Sequence, residues 1–214
     1  MIAVRACIVS ILTFLGAADA VAQRSPAVLR GIDAYAARAL ADWNIAGLAV
    51  AVVHGNSVVY ARGFGLKRVG NADPVTERTV FAIGSNTKLF TAVLAGMLVD
   101  QGRMRWNAPL IDHLPEFRLF DPRVTRELTL IDALSHRSGL GQRGEMVAYG
   151  TSRSRAQVLQ QLRFLQPNSS FRSGFGYSNA MFLAAGEAEA VASGMSWDSL
   201  IVRRIFTPLG MSAS

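Results

Sequence analysis

A serine and a lysine three residues apart open the apolar stretch "FAIGSNTKLFTAVLAGML" at residues 81–98. A serine hydroxyl is a weak nucleophile until a nearby base takes its proton. Arginine cannot serve as that base, whereas lysine can once burial lowers its pKa. Of the 22 lysines and arginines in the chain, only Lys67 and Lys88 are lysines. A lysine at 88, where arginine would fail chemically, therefore points to Ser85 as nucleophile and Lys88 as its basic partner. At this spacing the two side chains share one helix face. A nucleophile at a helix N-terminus also lies beside free backbone N–H groups and the positive end of the dipole, which favour the oxyanion of acyl transfer.

The spacing alone is a weak signal. With 17 serines in 214 residues, one of the two lysines finds a serine three positions earlier by chance in about 16% of such sequences. The bland alternative is a lysine that snorkels from an apolar helix. Tyr177-Ser178-Asn179 supplies a second witness. A phenol close to a lysine ammonium has its pKa pushed down and becomes a proton carrier. Chance coincidence of both motifs falls to about 2%.

The blocks "IGSNTKLFTA", "LSHRSGL", "FGYSNAMFLAAGEAEAVASG" and "IFTPLGM" occur in that order. Together they resemble the serine β-lactamase-related family, which groups class C β-lactamases, D-alanyl-D-alanine carboxypeptidases and related esterases. The likeness runs over about residues 28–212. It implies an α+β fold of the β-lactamase/transpeptidase type, with an α/β sheet domain beside a helical domain and the site between them. It also implies Ser85 as the acylated nucleophile, Lys88 as its basic partner, Tyr177 as general base and acid, and Asn179 as a ligand of the substrate amide. Gln142, in the loop that begins at Leu140, would lie at the pocket rim. The acyl donor would be a β-lactam, a D-Ala-D-Ala peptide or an ester, and no cofactor is called for.

The chain departs from the family pattern in one respect. The third motif, Lys or His followed by Thr/Ser and Gly, belongs on a strand beyond the region seen here. Arg137-Ser138-Gly139 and Arg172-Ser173-Gly174 mimic it but precede Tyr177. The chain thus reads as a truncated member that lacks the C-terminal sheet strands, with a non-catalytic fragment or binding module as the alternative reading.

Two further patterns compete. Gly139 to Gly144 fits G-x-G-x-x-G, but it follows a helical segment and no acidic residue waits about twenty positions on, as a dinucleotide site needs. Gly176-Tyr177-Ser178-Asn179-Ala180 resembles a nucleophile elbow, which makes an α/β-hydrolase using Ser178 a minor alternative. Its histidine should follow the serine, yet His54, His113 and His136 all precede it. Three isolated histidines and one cysteine give no metal-ligand spacing.

The elements that must position these residues follow from periodicity and punctuation. Val28, Ile32, Tyr35/Ala36, Ala39/Leu40 and Trp43 mark an apolar helix face over 26–43. "GLAVAVVH" and "SVVYARGFG" flank Gly55-Asn56 and predict a hairpin with a tight primed turn, followed by a polar loop over 66–79. From Thr87 to about Gln101 the apolar residues fall on nearly every side, which predicts a centrally buried helix closed by Gly102. Thr129/Asp132 and Ser154/Gln157 have capping-box spacing and predict helices near 130–136 and 155–165. A small-residue helix should end at Gly194, and Ser196 should cap a last one that runs to Thr207.

Composition bounds the rest. Residues 1–22, with Arg5, an apolar run from Ala6 to Gly16 and Ala20-Val21-Ala22, read as a secretory signal, leaving 23–214 as an incomplete β-lactamase-related domain in the periplasm or outside the cell. The 26–80 part reads as the N-terminal helix and hairpin of the sheet domain, and 81–214 as mainly helical. Cys7, the only cysteine, lies in that signal, so the mature chain has no disulfide. Mean hydropathy is +0.26, yet no long uncharged span follows the signal, so no integral membrane span is expected. Net charge is +7, but the arginines are scattered and no aromatic-basic motif accompanies them, which argues against nucleic acid as a partner.

Overall fold

The computed structural model describes residues 29–145 and 151–214. The segment read as a signal peptide lies outside these residues. The described residues fall into two compact units, one up to Thr79 and the other from Val80 on.

In the first unit, helix α1 spans Ile32–Asp42. Gly31, with φ of 91°, precedes it in a left-handed conformation that glycine adopts without steric cost. Strands β1 (Gly47–His54) and β2 (Ser57–Gly65) form an antiparallel hairpin in the register Val50↔Arg62, Ala51↔Ala61 and Val52↔Tyr60. An irregularity between Val52 and Val53 shifts the pairing to Val53↔Val58 before the turn, as a bulge does. Gly55 has φ of 58° while Asn56 is not in the positive-φ region, the sign pattern of a type II′ turn. Asp33 in the first turn of α1 ties the helix to β2. It accepts from the Tyr60 hydroxyl at 2.5 Å and pairs with Arg62. Of the apolar face expected for α1, Ala36 is buried, whereas Tyr35 and Trp43 are exposed. Val75 in the following loop is buried and donates its N–H to Gly65 O. A Cβ at Gly63 would stand 2.3 Å from the Val75 carbonyl oxygen, so only glycine lets the loop lie this close.

In the second unit, a 3₁₀ turn at Gly84–Asn86 leads straight into α2, Thr87–Asp100. Helix α3 (Pro122–Glu127) starts with Pro122 in its first turn and Asp121 as cap, whose carboxylate accepts from the Arg123 N–H. Helices α4 (Leu130–Leu134) and α5 (Arg155–Gln161) both open with complete capping boxes, Thr129/Asp132 and Ser154/Gln157. Helix α6 (Asn179–Ser193) stops at Gly194, whose φ is 69°. Ser196 caps α7 (Trp197–Ile201), which widens into a π-helical turn over Val202–Phe206 instead of continuing as α-helix to Thr207.

Helix α6 is the hub, packed against α2, α4, α5 and α7. Ala180, Ala184, Ala185 and Ala188 let its backbone approach its neighbours closely, and the leucines at 94, 98, 110, 128, 130, 162 and 200 fill the space around it. Each fully buried leucine contributes about 1.5–3 kcal/mol. The expectation of all-round burial for α2 is not met. Thr91, Leu94, Ala95 and Leu98 face the core, but Leu89 is 65% exposed and Val93 is also exposed. Helix α6 covers one face, and Leu89 and Val93 lie on the other.

Candidate active site

Ser85 sits in the 3₁₀ turn and Lys88 in the first turn of α2, so the local fold alone brings Lys88 Nζ within 3.2 Å of Ser85 Oγ. Tyr177 and Asn179 arrive from far along the chain. The segment 168–176 runs beside 136–140, joined by Asn168 N–H to Gly139 O, Arg172 N–H to Arg137 O and Gly176 N–H to His136 O. That pairing ends one residue before Tyr177. Ser178 is extended, with φ −148° and ψ 114°, and Asn179 begins α6.

The four side chains meet. Lys88 Nζ donates to Tyr177 Oη at 2.6 Å, to Ser85 Oγ and to Asn179 Oδ1. Those three acceptors match the three N–H donors of an ammonium. Ser85 Oγ and Tyr177 Oη are 2.5 Å apart. With the lysine donors committed, the hydroxyl proton between Ser85 and Tyr177 is the one free to move. The Tyr177 phenol is pulled below its ordinary pKa. The Lys88 hydrogen bond contributes most, then that of Ser85; burial opposes, and Glu145 opposes more weakly. Lys88 Nζ also lies 4.6 Å from the Tyr177 ring centroid, a cation–π distance. Ser85 is exposed, and a cavity of about 370 Å³ opens beside it, lined also by Thr91, Arg155, Phe182, Leu183, Glu187 and Trp197.

The family profile described as Beta-lactamase matches residues 32–214. The chain belongs to the beta-lactamase family. Its relatives include the unguisins hydrolase ungD of Aspergillus violaceofuscus, 35% identical over 81% of this chain and 32% of that protein. The D-alanyl-D-alanine-carboxypeptidase/endopeptidase AmpH of Escherichia coli is 30% identical over 84% of this chain and 48% of its own length. Among solved structures, the D-alanine carboxypeptidase AmpC of Burkholderia cenocepacia superposes with a TM-score of 0.69 at 25% identity. That match covers 87% of this chain and 48% of the other. The chain thus spans about a third to a half of the relatives it matches. The fold is of the β-lactamase/transpeptidase type, represented here by helices and a small antiparallel sheet.

Within this beta-lactamase-family chain, the other residues singled out lie outside the Ser85–Lys88–Tyr177–Asn179 cluster. Gln142 lies exposed in the 3₁₀ turn Gly141–Gly144 and hydrogen-bonds none of Ser85, Lys88, Tyr177 or Asn179. Ser178 is wholly buried and its hydroxyl has no partner. A nucleophile sealed from solvent cannot meet an acyl donor, and the Nδ1 of His136 is already engaged by the Ser178 backbone N–H. The elbow reading therefore fails. Arg172, in one imitation of the third motif, forks onto Asp132 instead. The glycines at 139 and 141 are used as a turn, with φ of 83° and 56°.

Two residues that the motifs did not single out belong to the site. Glu145 accepts from Asn179 N–H at 2.7 Å and from Asn179 Nδ2 at 2.5 Å. His136 packs against Tyr177, with ring centroids 4.7 Å apart. Neither carries a local signal, because their contacts span 34 and 42 residues. Among the described residues, no cluster of His, Cys, Asp and Glu is placed to hold a metal, and no helix is long and apolar enough to cross a membrane.

Proposed function

We propose that this protein is a serine acyl-hydrolase that works through an acyl-enzyme on Ser85. With Tyr177 as the phenolate, Ser85 Oγ attacks the acyl carbon while its proton passes to Tyr177 Oη. The bond to the leaving nitrogen or oxygen then breaks, and Tyr177 returns the proton to that atom. Water repeats the sequence on the ester, releasing the acid and restoring the Ser85 hydroxyl. Lys88 stabilises the phenolate form of Tyr177 that takes up the proton and orients both side chains. The N-terminal end of α2 favours the oxyanion.

The observation that carries this reading is the triangle of Ser85 Oγ, Tyr177 Oη and Lys88 Nζ, with sides of 2.5, 2.6 and 3.2 Å. The lowered phenol pKa supports it. Relatives named as a D-alanyl-D-alanine-carboxypeptidase/endopeptidase and as Penicillin-binding protein 4 favour a peptidoglycan peptide or a β-lactam as acyl donor. The largely apolar walls of the cavity leave an ester open. Incubating the full chain with a fluorescent penicillin and a fluorophosphonate, then mapping the adduct by mass, tests the assignment. A label on the peptide containing Ser85 is expected; a label elsewhere, or none from either probe, refutes it. The Ala20-Val21-Ala22 site supports export, and material beginning at Gln23 in the exported fraction is the expected N-terminus.

A further inference from the structure

Asn179 has one amide oxygen and one amide nitrogen, and the two point at groups of opposite kind. Its nitrogen donates to one carboxylate oxygen of Glu145 at 2.5 Å. Its backbone N–H donates to the other at 2.7 Å. That backbone N–H is one of the orphan donors at the start of α6, where an anion is favoured. Ser178, the residue in the cap position, makes no side-chain cap bond of its own. Glu145, at the end of the turn Gly141–Gly144, thus supplies from elsewhere in the chain what the cap residue does not.

We infer that Glu145 is a positioning residue of the acyl-transfer site, fixing the Asn179 amide so that its oxygen holds Lys88 against Ser85 and Tyr177. The inference rests on the Ser85–Lys88–Tyr177 reading above. Its physical basis is the cost of a flip. Turning the amide over would set Oδ1 against a carboxylate oxygen and Nδ2 against the Lys88 ammonium, replacing two hydrogen bonds by two like-with-like contacts. With Glu145 in place, one orientation survives, and Lys88 keeps its third acceptor. Without it, the amide is free to turn and Lys88 is free to swing away from the two hydroxyls.

The Glu145 charge also reaches the proton carrier. The groups that act on the Tyr177 phenol are Lys88 and Ser85 from the start of α2 and Glu145 from its turn, with the His136 ring against its face. Glu145 resists the lowering of the Tyr177 pKa that Lys88 produces. A residue that merely capped α6 would alter melting but leave the rate of Ser85 labelling where it was.

The test uses the full chain carrying ¹³C-labelled tyrosine, with the Tyr177 signal assigned from Tyr177→Phe. The Tyr177 Cζ shift is titrated in the parent and in Glu145→Gln, which keeps the size of the side chain but loses the charge. The midpoint is expected to fall, since Glu145 opposes the lowering of the Tyr177 pKa. In parallel, penicillin labelling of Ser85 should slow at least ten-fold in Glu145→Ala and less in Glu145→Gln, which retains one acceptor. An unchanged Tyr177 midpoint in Glu145→Gln, or unchanged labelling in Glu145→Ala, overturns the inference. A shifted midpoint in Glu145→Gln with a parent that never labels would refute the acyl-hydrolase reading while upholding the contact.

Discussion

The Nδ1 atom of His136 accepts a hydrogen bond from the backbone N–H of Ser178 at 3.0 Å. The ring is boxed by Tyr177, Phe175 and Phe182, with centroids 4.7–5.2 Å away. This one bond holds the middle of the Tyr177-Ser178-Asn179 segment and requires an unprotonated Nδ1. Burial lowers the His136 pKa below its ordinary value, the Lys88 charge adds to the lowering, and Glu145 opposes it.

The pH dependence follows from that direction. The unfolded histidine takes up its proton near pH 6.5, the folded one only at lower pH. Between those values the unfolded chain binds more protons, so stability falls as pH drops below about 6.5 through the folded pKa. His136→Gln can still accept from the Ser178 N–H and cannot titrate. Its melting temperature should change less than that of the parent between about pH 7.5 and about pH 5. Equal changes in the two proteins would refute this role.

Lys88→Arg should nearly abolish acylation of Ser85 although it keeps the charge. The planar fork of a guanidinium cannot meet three acceptors set around one nitrogen, so the Tyr177 phenolate and Ser85 lose the donor that holds them. Tyr177→Phe should slow acylation by roughly 10²–10⁴, the usual worth of general acid–base catalysis. Ser85→Ala should end it. Ser178→Ala should leave most of it, since that hydroxyl is buried and unpartnered. Rates of penicillin labelling across the four variants decide the matter, and retained labelling in Lys88→Arg would remove lysine from the mechanism.

Arg172 clamps the start of α4 from a distance of 40 residues. Its Nε and Nη2 donate to the two Asp132 oxygens at 2.8 and 2.6 Å. The Asp132 side chain is 6% exposed against 43% for Arg172. Burial pushes the Asp132 pKa up, but the Arg172 and Thr129 hydrogen bonds override it and the net direction is down. Arg172→Ala should therefore cost about 2 kcal/mol in denaturant unfolding, less than a fully buried pair because solvent screens the arginine. The contribution is present above pH 4 or so and is lost as pH falls through the lowered Asp132 pKa. An Arg172→Ala curve that overlays the parent at neutral pH would show the pair to be of no consequence.

What could be read in advance depended on distance along the chain. The two capping boxes were legible because a Thr or Ser and its partner three residues on settle their own geometry. Ser85 and Lys88 share one helical turn, so their proximity follows from spacing alone. The approach of Tyr177 and Asn179 was suggested by motif, and only the packing of α6 against α2 realises it. Glu145 and His136 escaped because nothing beside them in sequence records a bond to a segment more than thirty residues away. Gln142 lies exposed in the turn Gly141–Gly144, while Glu145, just after it, reaches Asn179. The exposed face of α2 escaped because periodicity reports which residues could be buried, while burial itself depends on what lies opposite.

Glu189 gives the last test, on a group that takes no part in the chemistry. It lies on the inner side of α6, fully buried, and neither carboxyl oxygen has a hydrogen-bond partner. Burial pushes its pKa up to about 9, and the neighbouring Trp197 indole opposes this. At neutral pH the side chain is therefore a neutral acid inside an apolar helix junction. Ionising it there would set an unpaired charge in the core. The unfolded chain loses this proton near pH 4.5 and the folded chain only near pH 9. Across that window the folded state binds the extra proton. Stability is thus greatest at the acid end and falls as pH rises, by at most about 1.4 kcal/mol for each pH unit. Glu189→Gln keeps the shape and removes the titration. In urea unfolding it should be more stable than the parent at about pH 8, with the gap narrowing toward about pH 5. A gap that stays constant with pH would mean that Glu189 ionises freely and is not sealed in the core.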